Sequence, residues 1–423
     1  MAKRQPPKGQ SVKIVLVSLY YEPDVASTGV YLARVMEGLR RLGHDVTVVT
    51  SFPHYDGQRI AEPWRGRLAE RTTVDGVDVI RTWVHAAGEK ASLPHRALNY
   101  VTFNAASTVA GLVAGRPDVV VTASPPLTAG LTAWTLSRLW RVPFVYCLQD
   151  IYPDVAVRLG ALKDPRVIRF FQAMERFIYA RAAGIAVLSE GFRQNLLAKG
   201  VPDAKIGVVP YFLDTGFIHP LPRDNAFARA HGLAERFVVM HAGNVGFSQD
   251  LESLLAVAER LRDDDGVRFV IVGDGAAKPA LRQRAAERGL DNVLFLPYQP
   301  AAVLPELRAS ADVHVALLKE RLASYSVPCK VYEVMASGRP VVSSIEEGSD
   351  TWRLLRAGGC GIAVPPEDVD ALAAAIAALR SDPARRERLG ASGREHVVAT
   401  YSTEVVVPQF AELVERVIGA AAR

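Results

Sequence analysis

Near the start of the chain, VKIVLVS is an unbroken apolar run, the pattern of a strand buried on both faces. A loop with proline and glycine follows, and then Leu32, Val35, Met36, Leu39 and Leu42 recur at helical spacing. Gly43 ends that helix and DVTVVT supplies the next strand, so the segment reads as a βαβ unit. The second half repeats the pattern: RFVVMHAG is a strand, NVGFSQD a loop, Leu251, Leu254, Leu255, Ala258 and Leu261 a helical stripe, and VRFVIVGDG a strand. Each half therefore opens its own βαβ unit. The pattern predicts an α/β chain of two Rossmann-like domains, each with a mainly parallel sheet. At 423 residues the chain also exceeds the ~250–300 at which single cores stop growing. The proline-rich stretch PYFLDTGFIHPLPRDN marks the boundary, giving domains over 1–215 and 216–401 and a last helix over 402–423.

Composition narrows the function more than the fold. Lys and Arg number 50 against 45 Asp and Glu, a net charge of +5, with no block dense enough for a nucleic-acid stripe. The three cysteines, Cys147, Cys329 and Cys360, are far apart and form no C-x-x-C. Neither a disulfide framework nor a zinc site is indicated, and a reducing cytoplasm fits. The apolar run after the basic start is only strand-length and leads into Glu22 and Asp24, so it does not read as a signal peptide. Two longer uncharged stretches need attention. Residues 119–137 contain Pro125-Pro126, which breaks a helix. Residues 97–115 carry Asn99, Asn104, Ser107 and Thr108, too polar for a confident membrane span. That helix is either packed in the protein or touches a membrane or lipid-linked substrate through the Arg96, Tyr100 and Phe103 region.

In open α/β sheets ligands bind beyond the carboxyl ends of the strands, and with two such domains the expected site is the cleft between them. Three loops of the second domain carry candidate chemistry. In HAGNVGFSQD, Gly243 and Gly246 let backbone approach a ligand, or make an ordinary turn. VGDGAAK, with Gly273, Asp274 and Gly275, lacks the third glycine of G-x-G-x-x-G, which argues against a dehydrogenase and leaves a nucleotide loop or a plain turn. In SVPCKVYEVMASGRP, Pro328 suits a first helical turn, and Gly338 with Pro340 suits the stop. Lys330 there stands where the helix dipole disfavours a cation unless an anion is bound. Glu333 can accept two hydrogen bonds from a ribose diol, or the two residues form a solvated i,i+3 ion pair. In the first domain, Thr28-Gly29 opens a helix, and His54 ends a strand as an acceptor contact or a hydrogen-bonded loop residue. Gln149 and Asp150 follow another strand, where Asp150 either orients and deprotonates an acceptor hydroxyl or caps the turn at Pro153.

Taken in order, YYEPDVASTG, SFPHYDG, LQDIYPD, LSEGFRQNLLAKGVPDAKIGVVPYFLDTGFI, HAGNVGFSQDLE, VGDG and SVPCKVYEVMASGRPVV resemble the family-four retaining GT-B glycosyltransferases. The resemblance is in particular to bacterial enzymes that build surface polysaccharides, including those of the fucosamine transferase type. It implies two Rossmann-like domains facing across a cleft, a nucleoside-diphosphate sugar held mainly by the C-terminal domain, and an acceptor held by the N-terminal one. It also implies no metal and a final helix that crosses back to the first domain. By the same resemblance Glu333 binds the donor ribose, Gly29 and Gly243 to Gly246 lie near the diphosphate, and Gly273 to Gly275 lie beside the nucleotide. Gln149 stands where many relatives carry a histidine, and Asp150 matches the acid after it. Three positions depart from the family pattern: Tyr325 replaces the first of two glutamates, while Asn244 and Gln249 replace an arginine and a lysine. Lys330 can supply part of the missing charge.

The reading is a retaining transferase moving a sugar, from a UDP-sugar by preference, to a sugar or lipid-linked acceptor in cell-surface polysaccharide synthesis. The expected setting is cytoplasmic or peripheral to the inner membrane face. Asp150, Gln149 and Lys330 are the catalytic candidates. Gly29, Gly243, Asn244, Gly246, Gly273, Asp274, Gly275, Lys330 and Glu333 are the donor candidates, and His54 and Arg96 the acceptor candidates. No cofactor is called for. The rivals are a sugar-nucleotide epimerase of the same plan and a non-catalytic sugar-nucleotide-binding protein.

Overall fold

The computed structural model describes residues 11–24, 26–55, 59–86, 88, 93–158, 160, 162–320 and 329–422, the side chains at 93 and 96 excepted. The chain divides into two units, Met1–Pro210 with Thr403–Arg423, and Tyr211–Ser402.

The first unit is built on strands β1 (Lys13–Ser18), β2 (Asp45–Ser51), β3 (Ala69–Val74), β4 (Val77–Thr82), β5 (Val119–Ser124), β6 (Phe144–Leu148), β7 (Gly184–Val187) and β8 (Ile206–Val208). They line up in the order β3-β4-β2-β1-β5-β6-β7-β8. All neighbours are parallel except β3 and β4. β5 and β6 are buried at every position, as their continuous apolar runs require. β3, at the edge, alternates between half-buried and exposed residues. Helices α1 (Ser27–Arg41), α2 (Leu93–Val113), α3 (Ala129–Trp140), α4 (Asp154–Arg158), α5 (Pro165–Arg181) and α6 (Glu190–Ala198) connect the strands.

The second unit contains β9 (Phe237–Ala242), β10 (Val267–Val272), β11 (Val293–Leu296), β12 (Val313–Leu317), β13 (Val341–Ser344) and β14 (Gly361–Val364). Their order is β11-β10-β9-β12-β13-β14, parallel throughout. In sequence order this is the 3-2-1-4-5-6 arrangement, whose direction reverses between its first and fourth strands, here β9 and β12. α7 (Ala226–Ala230) precedes the sheet, the crossovers are α8 (Leu251–Arg260), α9 (Lys278–Glu287), α10 (Leu304–Ala309), α11 (Lys330–Ala336) and α12 (Asp350–Gly358), and α13 (Val369–Ser381) and α14 (Pro383–Tyr401) follow the last strand. The core gathers Val239, Leu254, Phe269, Ile271 and Val315 with the buried stripe of α8.

The last helix, α15 (Thr403–Ala422), belongs to the first unit. The sequence makes room for it with glycine. A Cβ on Gly38 would strike Val407, one on Gly184 would meet Val417, and one on Gly207 would press on Leu413 at 3.1 Å. Those three α15 residues are buried.

Candidate functional site

In the second unit the reversal of strand order puts the loops after β9 and β12 beside each other, so this is where a ligand pocket is expected. The loop after β9 is tied to the loop after β10 by backbone hydrogen bonds: Gly243 N–H donates to the Val272 carbonyl at 2.9 Å and Val245 N–H to the Asp274 carbonyl at 2.8 Å. This contact explains two glycines. Gly273 and Gly275 have φ of +132° and +152°. A Cβ on Gly273 would land on the Gly243 carbonyl, and one on Gly275 would sit 2.5 Å from that of Val245. Their first duty is therefore to let two loops touch. A Cβ on Gly243, by contrast, would meet only the end of Lys330, at 3.6 Å. Lys278, next along the loop, donates its ammonium to the Gly273 and Leu296 carbonyls and fixes the loop from behind.

Lys330 opens α11, and its Nζ donates to Gln249 Oε1 at 2.8 Å. The same nitrogen lies 3.4 Å from His241 Nε2. No carboxylate pairs with it among the described residues. Burial pushes its pKa down to about 7, and the nearby Arg308 guanidinium pushes the same way. His241 is fully buried at the end of β9, held neutral by that burial and then by the Lys330 charge. Its Nε2 lies 3.3 Å from the Asn244 carbonyl, while its Nδ1 has no partner. Neither tautomer is satisfied. With the proton on Nε2, a donor faces the Lys330 ammonium; with it on Nδ1, a buried N–H is left without an acceptor.

One turn into α11, Glu333 meets Arg308 of α10, not Lys330. Arg308 Nη2 donates to Glu333 Oε2 at 2.5 Å and its Nε to the same oxygen at 3.2 Å. The two side chains are only 5% and 15% exposed, so the pair is partly desolvated. Arg308 Nη1 lies 3.4 Å from the Ala242 carbonyl at the end of β9. The clamp occupies Oε2 and leaves Oε1 for another donor. The solvated Lys330–Glu333 pair allowed by the i,i+3 spacing is thus replaced by two separate partnerships. Val331, Val334 and Met335 of the same helix are buried. Tyr325 and Pro328 lie outside the described residues.

Sequence reasoning missed Arg308. Its signal was an arginine in the apolar run LRASADVHV, between buried Leu307 and Ala309, but its partner lies 25 residues away. It also missed that Gln249, the position read as a lost lysine, is the residue that touches Lys330. Tyr298, after β11, was missed as well; its hydroxyl lies 3.4 Å from the Asp274 carbonyl and its ring is exposed.

In the first unit the candidates sit at several strand ends. Gln149 and Asp150 follow β6, with Gln149 N–H donating to the Ser124 carbonyl at 3.1 Å. The Asp150 carboxyl has no hydrogen-bond or ion-pair partner among the described residues, so it does not cap the Pro153 turn. Burial pushes its pKa up to about 7. His54 is buried, and both ring nitrogens are used: Nδ1 lies 2.9 Å from the Phe52 carbonyl and Nε2 lies 3.2 Å from Asn99 Nδ2. These contacts assign the proton to Nδ1, and burial keeps the ring neutral. Asp24 accepts from the backbone N–H groups of His54 and Tyr55. His54 is therefore a fixed loop residue and not a free acceptor contact. Gly29 lies in the first turn of α1, where a Cβ would be 3.1 Å from the Tyr20 carbonyl. The side chain of Arg96 lies outside the described residues, Tyr100 is exposed, and Phe103 is fully buried, which removes it from any surface contact.

Two α/β units on mainly parallel sheets, the second with the Lys330 ammonium and the clamped Glu333 carboxylate at its strand reversal, make up a GT-B fold. Residues 28–211 match the glycosyl transferase 4-like domain, and residues 236–382 match the glycosyl transferases group 1 domain. The chain belongs to this family of glycosyltransferases. It is 28% identical over 412 residues to WcaI of Escherichia coli (strain K12), a protein named for glycosyl transfer in colanic acid biosynthesis; the match covers 94% of this chain and 98% of that one. Among solved structures it resembles the sucrose-phosphate synthase of Thermosynechococcus elongatus, with TM-score 0.75 and 20% identity, covering 96% and 100% of the two chains. It also resembles HepE of Anabaena, solved with UDP-glucose, with TM-score 0.71 and 15% identity over 95% and 98%.

Proposed function

We propose that the chain transfers a sugar with retention from a UDP-sugar to a hydroxyl of a sugar or lipid-linked glycan during cell-surface polysaccharide synthesis. The observation that carries this reading is the Lys330 ammonium, without a carboxylate partner among the described residues and lodged against Gly243, one helical turn from a carboxylate held by Arg308. The diphosphate lies on Lys330 and on the Gly243–Gly246 backbone, with the ribose diol on the free oxygen of Glu333. The exposed Tyr298 ring, beside the Asp274 loop, offers a face for the base. An anion at Lys330 draws the ammonium away from His241 and ends the donor conflict there.

As the bond between the anomeric carbon and the phosphate oxygen breaks, negative charge grows on the leaving phosphate. A cation fixed in a low-dielectric site stabilises that charge more in the transition state than in the ground state. The acceptor oxygen forms its bond on the face the phosphate leaves, and its proton passes to the departing phosphate. Asp150, with a carboxyl near neutral pKa and no partner among the described residues, positions that hydroxyl, with Gln149 beside it. His54 acts indirectly, by holding Asn99 and the 51–55 loop.

The test is a set of UDP-sugars incubated with and without glycan acceptors, with the product anomer read by NMR. Retention, with no change to the donor when acceptor is omitted, is expected. An inverted anomer overturns the mechanism. A new sugar nucleotide formed without acceptor favours an epimerase, and binding without turnover on any acceptor favours a sensor.

A further inference from the structure

Helix α2 is polarised the wrong way round for a helix facing water. Leu98, Val101, Ala105, Val109 and Leu112 follow one another at steps of three, four, four and three, and all five are exposed. Val101 and Val109 are 62% and 64% exposed. At 1.5 Å per residue the stripe runs for about 21 Å. Its polar residues point elsewhere. Asn104 Oδ1 accepts from Thr132 of α3 at 3.1 Å, Thr108 bonds back to the Asn104 carbonyl, and Ser107 is fully buried. No residue from 97 to 115 is charged. A continuous apolar band of this kind on an otherwise ordinary surface marks a contact.

The neighbouring helices indicate what it contacts. α3 packs between α2 and α5: a Cβ on Gly111 of α2 would strike Leu136, and one on Gly130 would strike Ile178 of α5. The outward face of α5 joins Phe170, 60% exposed, to the exposed Arg166, Arg169 and Arg176. Of the two nearby acids, Glu175 is buried on Lys199 and Asp164 caps the helix on the N–H groups of Arg166 and Val167, so three arginines face one exposed carboxylate and the face stays net positive. The layer thus presents an apolar band beside a cationic, aromatic one. No described helix is long and apolar enough to cross a membrane.

From the charge and apolarity of these two faces we infer that the α2–α5 layer docks flat on a bilayer surface rich in anionic lipid. The α2 stripe enters the acyl boundary and the α5 arginines meet the headgroups. This inference does not rest on the donor-site reading; it adds to it by placing a lipid-linked acceptor and the enzyme on the same surface.

The experiment is flotation of the purified full chain with vesicles of phosphatidylcholine alone or mixed with phosphatidylglycerol. Size-exclusion and thermal melts run alongside. The wild type is expected to float with the anionic vesicles and to be released by high salt. Replacing Arg166, Arg169 and Arg176 with Gln should weaken partitioning on the order of a hundredfold, at about 1 kcal/mol per arginine. Val101→Glu with Val109→Glu should weaken it at least tenfold while leaving the melt unchanged, since both positions are exposed. Equal binding to both vesicle types, or stripe variants that bind like wild type, would overturn the inference. A wild-type dimer that the valine variants dissociate, with no vesicle binding, would overturn it too and make a second copy the occupant.

Discussion

The two units hold their candidate groups in opposite ways. In the second, each is locked by another protein group: Glu333 by Arg308, Lys330 by Gln249, and the Gly273–Gly275 loop by Lys278 and the β9 loop. In the first, Asp150 is half-buried with no partner among the described residues, and His54 is fully engaged but only as loop support. A site assembled in advance suits a ligand bound the same way each time, such as a nucleotide. A half-buried carboxyl with no protein partner among the described residues keeps its oxygens open to a substrate hydroxyl. On the proposed function, the clamped unit grips the donor and the unclamped one takes the acceptor.

The strongest way to break this contrast is to remove the clamp. Arg308→Met strands a partly buried carboxylate, and we expect a loss of about 3–5 kcal/mol in denaturant melts. Donor KM should also rise well over tenfold. Adding Glu333→Met should recover much of the stability but none of the donor affinity, which separates folding from binding.

On the other side, Asp150→Asn should lower kcat by about 10²–10⁴ while leaving donor KM nearly unchanged. It should also change stability with a definite sign. The folded pKa is raised, to about 7, so the native state holds a proton that the unfolded chain has released, and stability falls as pH climbs from about 4 to 7. The Asn variant should therefore melt higher than wild type at pH 8 and equal to it at pH 4.

Lys330 sharpens the comparison further. Its folded pKa is lowered to about 7, so its contribution runs the other way, with stability rising from pH 7 towards the unfolded value near 10. An anion must bind the protonated form. Donor KM should consequently rise above pH 7, by up to about tenfold at pH 8, and Lys330→Met should flatten that profile at a uniformly weaker level. The smallest effect is expected from Gln249→Ala, a few-fold rise in donor KM, because the amide positions the ammonium without adding charge.

Much of the fold could be read from the sequence because it rests on local periodicity. The twin βαβ units follow from continuous apolar strands and helical stripes such as Leu251, Leu254, Leu255 and Ala258. The glycines of VGDG were visible, but their reason was not: they carry loop-to-loop contact between β9 and β10, a long-range fact that no spacing reveals. Lys330 and Glu333 stood out by position, yet their partners, Gln249 and Arg308, lie 81 and 25 residues away, and charge at i,i+3 suggested the wrong pairing. Phe103 fell within a candidate surface contact or the core, and the polar residues around it did not decide between them. In fact those polar residues bond along the helix and to α3, and the phenylalanine is core.

The most direct test is calorimetric titration of UDP into the wild type and Lys330→Met at pH 8, in buffers of different ionisation enthalpy. If Lys330 receives the diphosphate, the wild type takes up close to one proton per UDP bound, and the variant takes up none and binds more weakly. Equal affinities with no proton uptake in either protein would contradict the account.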